Sequence, residues 1–479
     1  MTTRAGAPSA SDWSALEAAI AGELVRPDSP DYESARKAAI ARFHSIRPEA
    51  VVRCRTAGDV AETIGFVKAM RLPTAIRSGG HCFAGRSSSV GVVIDVTPMN
   101  AVSVSGGVAT IGAGARLGDV YDSLSGHDLT LAAGSCPSVG IAGLTLGGGL
   151  GILGRTYGLT SDQLLGAQVV LADGRVVGCD DEHHEELFWA LRGAGAGNFG
   201  VVTSFVFRTR AASSATNFHL SWTHPHAAAV IDAWQAWAPV APDELYASLL
   251  VRAEREVERP PTLDVFGSML GSEKDAADLL EELAVRAGVD PTTHSLGHMS
   301  CQETTRYWAD LGGAERVDQE PARDEYPLLK SEFFQQPLPS EAVTALLNTL
   351  VAERAAGQSR ELDFTPWGGA YNRISPDATA FVHRRELFSL KHSAVVDSDS
   401  SAAKDAARRW LAKSWATVRP WGTGRVFPNF PDPDLEGWGP AYYGANYGRL
   451  LRVKQTYDPG NTFRFHQSLP TSTRSQSTS

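Results

Sequence analysis

Two glycine-rich runs, each carrying one nucleophilic side chain, constrain this chain more than any other feature. The first is Arg77-Ser78-Gly79-Gly80-His81. The second opens Cys136-Pro137-Ser138-Val139-Gly140-Ile141-Ala142-Gly143 and continues through Leu144 into Gly147-Gly148-Gly149-Leu150-Gly151. Glycine lets a backbone come close to a ligand and leaves N–H groups free to point at phosphate. Two such loops, one with an imidazole and one with a thiol, point to a large phosphate-bearing cofactor. It would be gripped from two sides and tied down covalently. Taken alone, each run has a plainer reading: a tight turn with a surface histidine, or a small buried hydrophobe, the usual state of a free cysteine.

A length of 479 residues exceeds one typical core and implies at least two domains. The net charge of −10, from 44 basic and 54 acidic residues, argues against a nucleic-acid or anionic-membrane surface. Five cysteines, at 54, 82, 136, 179 and 301, are odd in number and widely spaced. They form neither a disulfide framework nor a zinc pattern. Cys54, Cys82, Cys179 and Cys301 read as packing residues, with a reservation for Cys82 because it adjoins His81. No metal is expected, since His183 and His184 lack metal-ligand spacing and read as an acidic helix start. No run approaches ~18 apolar residues, and "SALEAAIAGELV" is broken by Glu17 and Glu23. The expectation is a cytoplasmic protein without signal peptide or membrane span.

Residues 11–42 are helical in pattern. From Val51 to about Arg210, strand-like runs alternate with helical ones. "AVVRC", "TAIRS", "GVVIDV", "VATIGAG", "AQVVLADG" and "GVVTSFVFR" predict strands, and "AGDVAETIGFVKAMR" predicts a helix capped at Asp59 or just before. After about Ala211, helices are predicted at 226–237, 273–287 and 340–355, among strands such as "LYASLLVR" and "TLDVFGSML". This predicts an antiparallel sheet covered by helices. Three segments invite a dinucleotide reading, at 112–118, 147–151 and 193–197, but none is a clean G-x-G-x-x-G opening a helix. The first is expected to end a strand.

"RSGGH", "GSCPSVGIAGLTLGGGLG", "RGAGAGNFGVV" and "DPGNTFRFHQSL" stand in that order between about Arg47 and about Leu469. In this they resemble the berberine-bridge-enzyme-like FAD-linked oxidases of the vanillyl-alcohol-oxidase, or PCMH-type, flavoprotein superfamily. The resemblance implies an α+β fold with a two-part FAD-binding domain of PCMH type, residues 1–213 and 426–479; the small polar residues from about 470 are by composition expected to be disordered. Residues 214–425 would form the substrate domain. FAD would be linked through His81 to the flavin 8α-methyl carbon and through Cys136 to C6. Ile76, Arg77, Ser78, Gly79, Gly80, Cys82, Ser135, Val139, Gly140, Ile141, Ala142, Gly143, Leu144 and Leu150 would surround it. Gly200, Val201 and Val202 would lie near the adenine end, and the Asn429 amide would meet the flavin ring. Val139 matches a position that admits oxygen in plant relatives.

The resemblance also places the strand after "FVHRRELF" on the substrate side of the flavin. Alternation puts Phe388, Leu390 and His392 on one face. The tail motif "VFPNFPD" keeps Asn429 but has Phe427 and Phe430 where the family has tyrosines. The second tyrosine is the family's usual base, so that role does not carry over to Phe430. His392, with an ordinary pKa of about 6.5, is expected as the base, with Tyr371 as backup. The expected reaction is hydride transfer from a natural-product or sugar-like alcohol to flavin N5, followed by reoxidation with oxygen to hydrogen peroxide. The expected partners are that small molecule and oxygen, with no nucleic acid or membrane, in a monomer or homodimer. Oxidative cyclisation or oxygenation, and a flavin-bearing drug-binding or resistance protein, are the alternatives.

Overall fold

A computed structural model describes residues 8–312, 325–397 and 400–471. Its first sheet has strands in the order Glu23–Val25, Ala50–Arg53, Val92–Asp95, Thr74–Arg77. Both neighbours of Val92–Asp95 run parallel to it, and Glu23–Val25 pairs antiparallel at the edge. Parallel neighbours need a crossover, and the helix Ala57–Met70 supplies one. Its cap is Thr56, three residues ahead of Asp59, which sits in the first turn. Thr56 Oγ1 accepts the Asp59 N–H, and the Asp59 carboxylate accepts the Thr56 N–H. Val60, Ile64 and Val67, spaced by four and three, turn inward.

The helical pattern over 11–42 resolves instead into a helix Ala10–Ala19, the strand Glu23–Val25 and a short helix Tyr32–Arg36. Gly22 lies against the Arg53 carbonyl, where no Cβ fits, and Pro27 and Pro30 lack the N–H that a continuous helix needs. A second, antiparallel sheet runs Val102–Ser105, Val108–Gly112, Gly200–Arg208, Leu164–Leu171, Val176–Cys179. The segment at 112–118 does begin at a strand end.

The third sheet has seven strands, in the order Thr293–Met299, Ala215–Thr223, Thr262–Met269, Leu245–Ala253, Gln358–Pro366, Phe388–Asp397, Glu325–Phe334. Helices Ala227–Trp237, Glu273–Ala287, Ser340–Val351 and Ser401–Val418 supply the apolar side chains that cover one of its faces. The chain then returns. Val426, Tyr442, Leu450 and Phe463 are buried in the same core as the two N-terminal sheets. Lys454, fully buried, donates to Asp458 and to the Asn198 and Phe463 carbonyls at 2.7–2.8 Å, tying the returning segment down.

Arg155, in the short helix Gly154–Tyr157, joins the two halves. Its guanidinium donates to the carbonyls of Leu245 (2.9 Å), Pro239 (3.1 Å), Ala241 (2.6 Å) and Trp367. No helix among the described residues is long and apolar enough to cross a membrane.

Candidate active site

The two glycine-rich loops meet back to back. A Cβ on Gly79 would overlap the Gly140 nitrogen, and one on Gly140 would overlap Gly79 and the Ser78 hydroxyl. The first loop leaves the end of strand Thr74–Arg77, at the carboxyl edge of the parallel sheet where α/β folds bind ligands. Arg77, buried, is spent on holding it, donating to the carbonyls of Ala35, Arg36 and Ser87. Ser78 Oγ donates to the Ala113 carbonyl at 2.7 Å. Gly80 has φ +76°, a left-handed turn that brings its neighbour His81 back toward the second loop.

His81 and Cys136 both come to Ser138. The Cys136 thiol is 3.4 Å from the Ser138 hydroxyl, and the His81 ring meets the Ser138 backbone. Burial pushes the His81 pKa down to about 4, with the Arg116 guanidinium pushing the same way. The imidazole is therefore neutral, and its Nε2 is enclosed without a hydrogen-bond partner. A neutral ring with an unpartnered nitrogen, beside a half-exposed thiol and a glycine cradle, suits covalent attachment of a flat cofactor.

The second loop runs into helix Ile141–Leu146, where Ile141 and Ala142 are buried while Gly143 stays exposed and Leu144 half-exposed. Asn429 closes over this helix. Its amide donates to the Leu144 carbonyl at 2.8 Å, and its Oδ1 occupies the space a Gly147 Cβ would need. The amide expected on the flavin ring is thus used on the loop itself. Ile76, Cys82, Ser135, Val139 and Leu150 are half-buried around the same region. Gly200, Val201 and Val202 lie inside a strand, paired with Leu171, Val170 and Val169, and are buried core.

The expectation for His392 is corrected. Phe388, Leu390 and His392 do share a face, but it is the face under the helices. His392 is fully buried in a cross-strand row with Leu362, Val251, Leu263 and Trp222. Its Nδ1 is 2.9 Å from Ser414 Oγ on helix Ser401–Val418. Burial, aided by Lys330, holds its pKa down to about 3. Tyr371 is corrected too. It is fully buried, stacked on Trp367 at 4.6 Å, and donates to the Gly151 carbonyl at 3.0 Å. Burial, with Tyr246 nearby, raises its pKa. It wedges the glycine loop against the sheet and has no proton-accepting capacity near neutral pH.

The opposite face of the sheet is polar. One row reads Ser331, Lys391, Asp363, Leu250, Asp264, Ser221 across six strands. Lys391 pairs with Asp363 at 3.0 Å, Arg252 with Glu361 at 2.7 Å, and His219 with Asp264 at 3.0 Å. The Lys391 ammonium lies 5.5 Å from the Phe430 ring, so this face meets the tail next to Asn429 and the glycine loop. Parity carried the missed signal. Phe388, Leu390, Ala394 and Val396 are apolar and belong to a core, whereas Ser389, Lys391 and Ser393 belong to the other side.

Comparison with known proteins supplies the family. Residues 48–180 match the FAD binding domain family, and residues 426–470 match "Berberine and berberine like". The FAD-linked oxidoreductase YgaK of Bacillus subtilis (strain 168) is 33% identical over 468 residues, covering 95% of this chain and 98% of its own length. The structure of Physcomitrella patens BBE-like 1 superposes with a TM-score of 0.85 at 27% identity, over 96% of this chain and 99% of that one. A chitooligosaccharide oxidase superposes at 0.84 and 25% identity, over 96% and 98%. The chain belongs to the berberine-bridge-enzyme-like family of PCMH-type flavoproteins and is an FAD-linked oxidoreductase.

Proposed function

We propose that this enzyme is an oxygen-dependent oxidase whose FAD is held covalently by both His81 and Cys136, and which oxidises an oxygen-rich organic alcohol. The contact of the two loops through Gly79 and Gly140 carries this reading. Two side chains on separate loops reach neighbouring positions of one ring edge only if the loops meet there. Neutral His81 keeps a lone pair for bond formation, and Cys136 stands on the adjoining turn. When bound, the flavin supplies a hydride acceptor at N5 and passes the electrons to oxygen, giving hydrogen peroxide. Residues 1–213 and 426–479 form the flavin domain in this reading, and 214–425 the substrate domain.

The chain's own work is binding, orientation and proton handling. The polar sheet face, with its alternating ion pairs, suits a substrate bearing several hydroxyls, and the likeness to a chitooligosaccharide oxidase supports that class. Lys391 holds the substrate hydroxyl oxygen through its ammonium, and the Asp363 carboxylate accepts the hydroxyl proton as the carbinol hydride departs. Burial pushes the nearby Tyr246 phenol up to about 12, so it stays a neutral wall of this site.

Acid precipitation tests the attachment. The pellet should stay yellow, and a digest should yield flavin on peptides containing His81 and Cys136. His81→Ala or Cys136→Ala should leave one link, and the double variant should release FAD. Free FAD in the wild-type supernatant would overturn the reading. Peroxide release on addition of oligosaccharides or aryl glycosides tests the reaction.

A further inference from the structure

A cleft lies against the flavin-attachment loop. It is a small open cleft between residues 134–135, the turn at Ile152 and Leu153, and helix Cys301–Gly312. Tyr121, Tyr157 and Trp308 line it, with Leu131, Leu153 and Leu270.

The polar side-chain atoms of Tyr121, Thr304, Thr305 and Trp308 in the wall are already committed. Tyr121 donates its hydroxyl proton to the Gly134 carbonyl at 2.8 Å. Trp308 Nε1 donates to Asn217 Oδ1 at 3.0 Å, and the Asn217 amide donates to Thr304 Oγ1 at 2.9 Å. Thr305 Oγ1 donates to the Cys301 carbonyl at 3.0 Å. A guest therefore meets a mostly apolar wall. Flat apolar groups gain most in such a place, from burial and from ring stacking.

Position connects the cleft to the chemistry. Ser135, in its wall, is bonded to Cys136. Trp308 packs edge-on against Tyr246, ring centroids 6.0 Å apart. Tyr246 is on the strand that pairs with the Asp363 strand, and shares the polar face with Lys391 and Asp363. We propose that this cleft is a specificity subsite for an aromatic or similarly flat apolar group of the substrate. The substrate then joins such a group to the oxidisable carbinol. The inference rests on the oxidase reading above for its place in turnover, but the subsite itself is testable without turnover.

The probe is 2-naphthol, titrated into the flavin-loaded enzyme by calorimetry. Wild type should bind one equivalent. Thr305→Trp, which fills the cleft, should weaken binding at least tenfold while the flavin spectrum stays unchanged. Should that variant misfold, the wild type still decides. Cys301 lines the cleft, so saturating 2-naphthol should slow its labelling by N-phenylmaleimide at least tenfold, read from the Cys301 peptide by mass. No naphthol binding, or unprotected Cys301, overturns the subsite whether or not any alcohol is oxidised. Normal naphthol binding by a folded Thr305→Trp variant with slowed flavin reoxidation also overturns it, and marks the cleft as an oxygen route. Naphthol binding and Cys301 protection without turnover of any alcohol would uphold the subsite and count against the oxidase reading instead.

Discussion

Replacing Lys391 by Met and His392 by Leu separates a catalytic role from a structural one on adjacent residues of one strand. Lys391→Met removes the cation facing the tail and leaves Asp363 without its partner at 3.0 Å. The pair is mostly buried, with side chains 16% and 22% exposed, so stranding the Asp363 carboxylate should lower stability by ~1–3 kcal/mol. Loss of the ammonium that holds the substrate hydroxyl against Asp363 should slow flavin reduction by ~10²-fold or more, about 2.7 kcal/mol of barrier. His392→Leu should cost stability alone. It strands the buried Ser414 hydroxyl, 2.9 Å from His392 Nδ1, at a cost of ~1–3 kcal/mol. Part of that is offset because the unpartnered His392 Nε2 goes as well. The assay is anaerobic stopped-flow bleaching of the flavin with any alcohol that supports peroxide release, alongside thermal unfolding. Flavin reduction slowed ~10²-fold in His392→Leu with unchanged melting, and near-normal reduction in Lys391→Met, would refute the assignment of faces to roles.

Gly79→Ala forces a methyl into the Gly140 backbone, so the loops must part. Flavopeptide mapping should show one or both links lost, and intact double attachment would contradict the loop argument. Arg155→Met leaves four buried carbonyls without their donor and should lower stability by at least ~3 kcal/mol, seen as a fall in the thermal midpoint. Acid stability follows from four buried groups. His383 and His392 are held down to about 3, so below pH 6.5 the unfolded chain takes up two protons that the folded one refuses. Glu332 and Glu386 are raised to about 7, chiefly by burial, so the folded chain takes up two protons between pH 7 and 4.5 that the unfolded one does not. These contributions cancel between about pH 6.5 and 4.5, then cost two protons at ~1.4 kcal/mol each per pH unit toward pH 3. In the Glu332→Gln/Glu386→Gln variant the loss should begin near pH 6.5, and denaturant midpoints across that range check it.

Local physics was readable in the chain. Asp59 announced a helix start to within three residues, the run after it the helix, and alternating runs the strands, because caps and periodicity act within a few residues. The glycines flanking His81 and Cys136 announced close backbone approach, since little else explains so many residues without Cβ around two nucleophiles. Which backbone each glycine approaches was decided only in three dimensions. Gly79 and Gly140 are 61 positions apart, and each lacks a side chain because the other is there. Alternation grouped Phe388, Leu390 and His392, but naming the face that looks at the cofactor requires knowing where helix Ser401–Val418 packs. The same holds for Tyr371, whose hydroxyl is committed to Gly151, 220 residues away. Sequence by itself determined the elements, the cofactor class and the two attachment residues to test. Tertiary packing decided which polar side chains face the reaction, because a strand's period of two specifies partners on a face and not what lies above it.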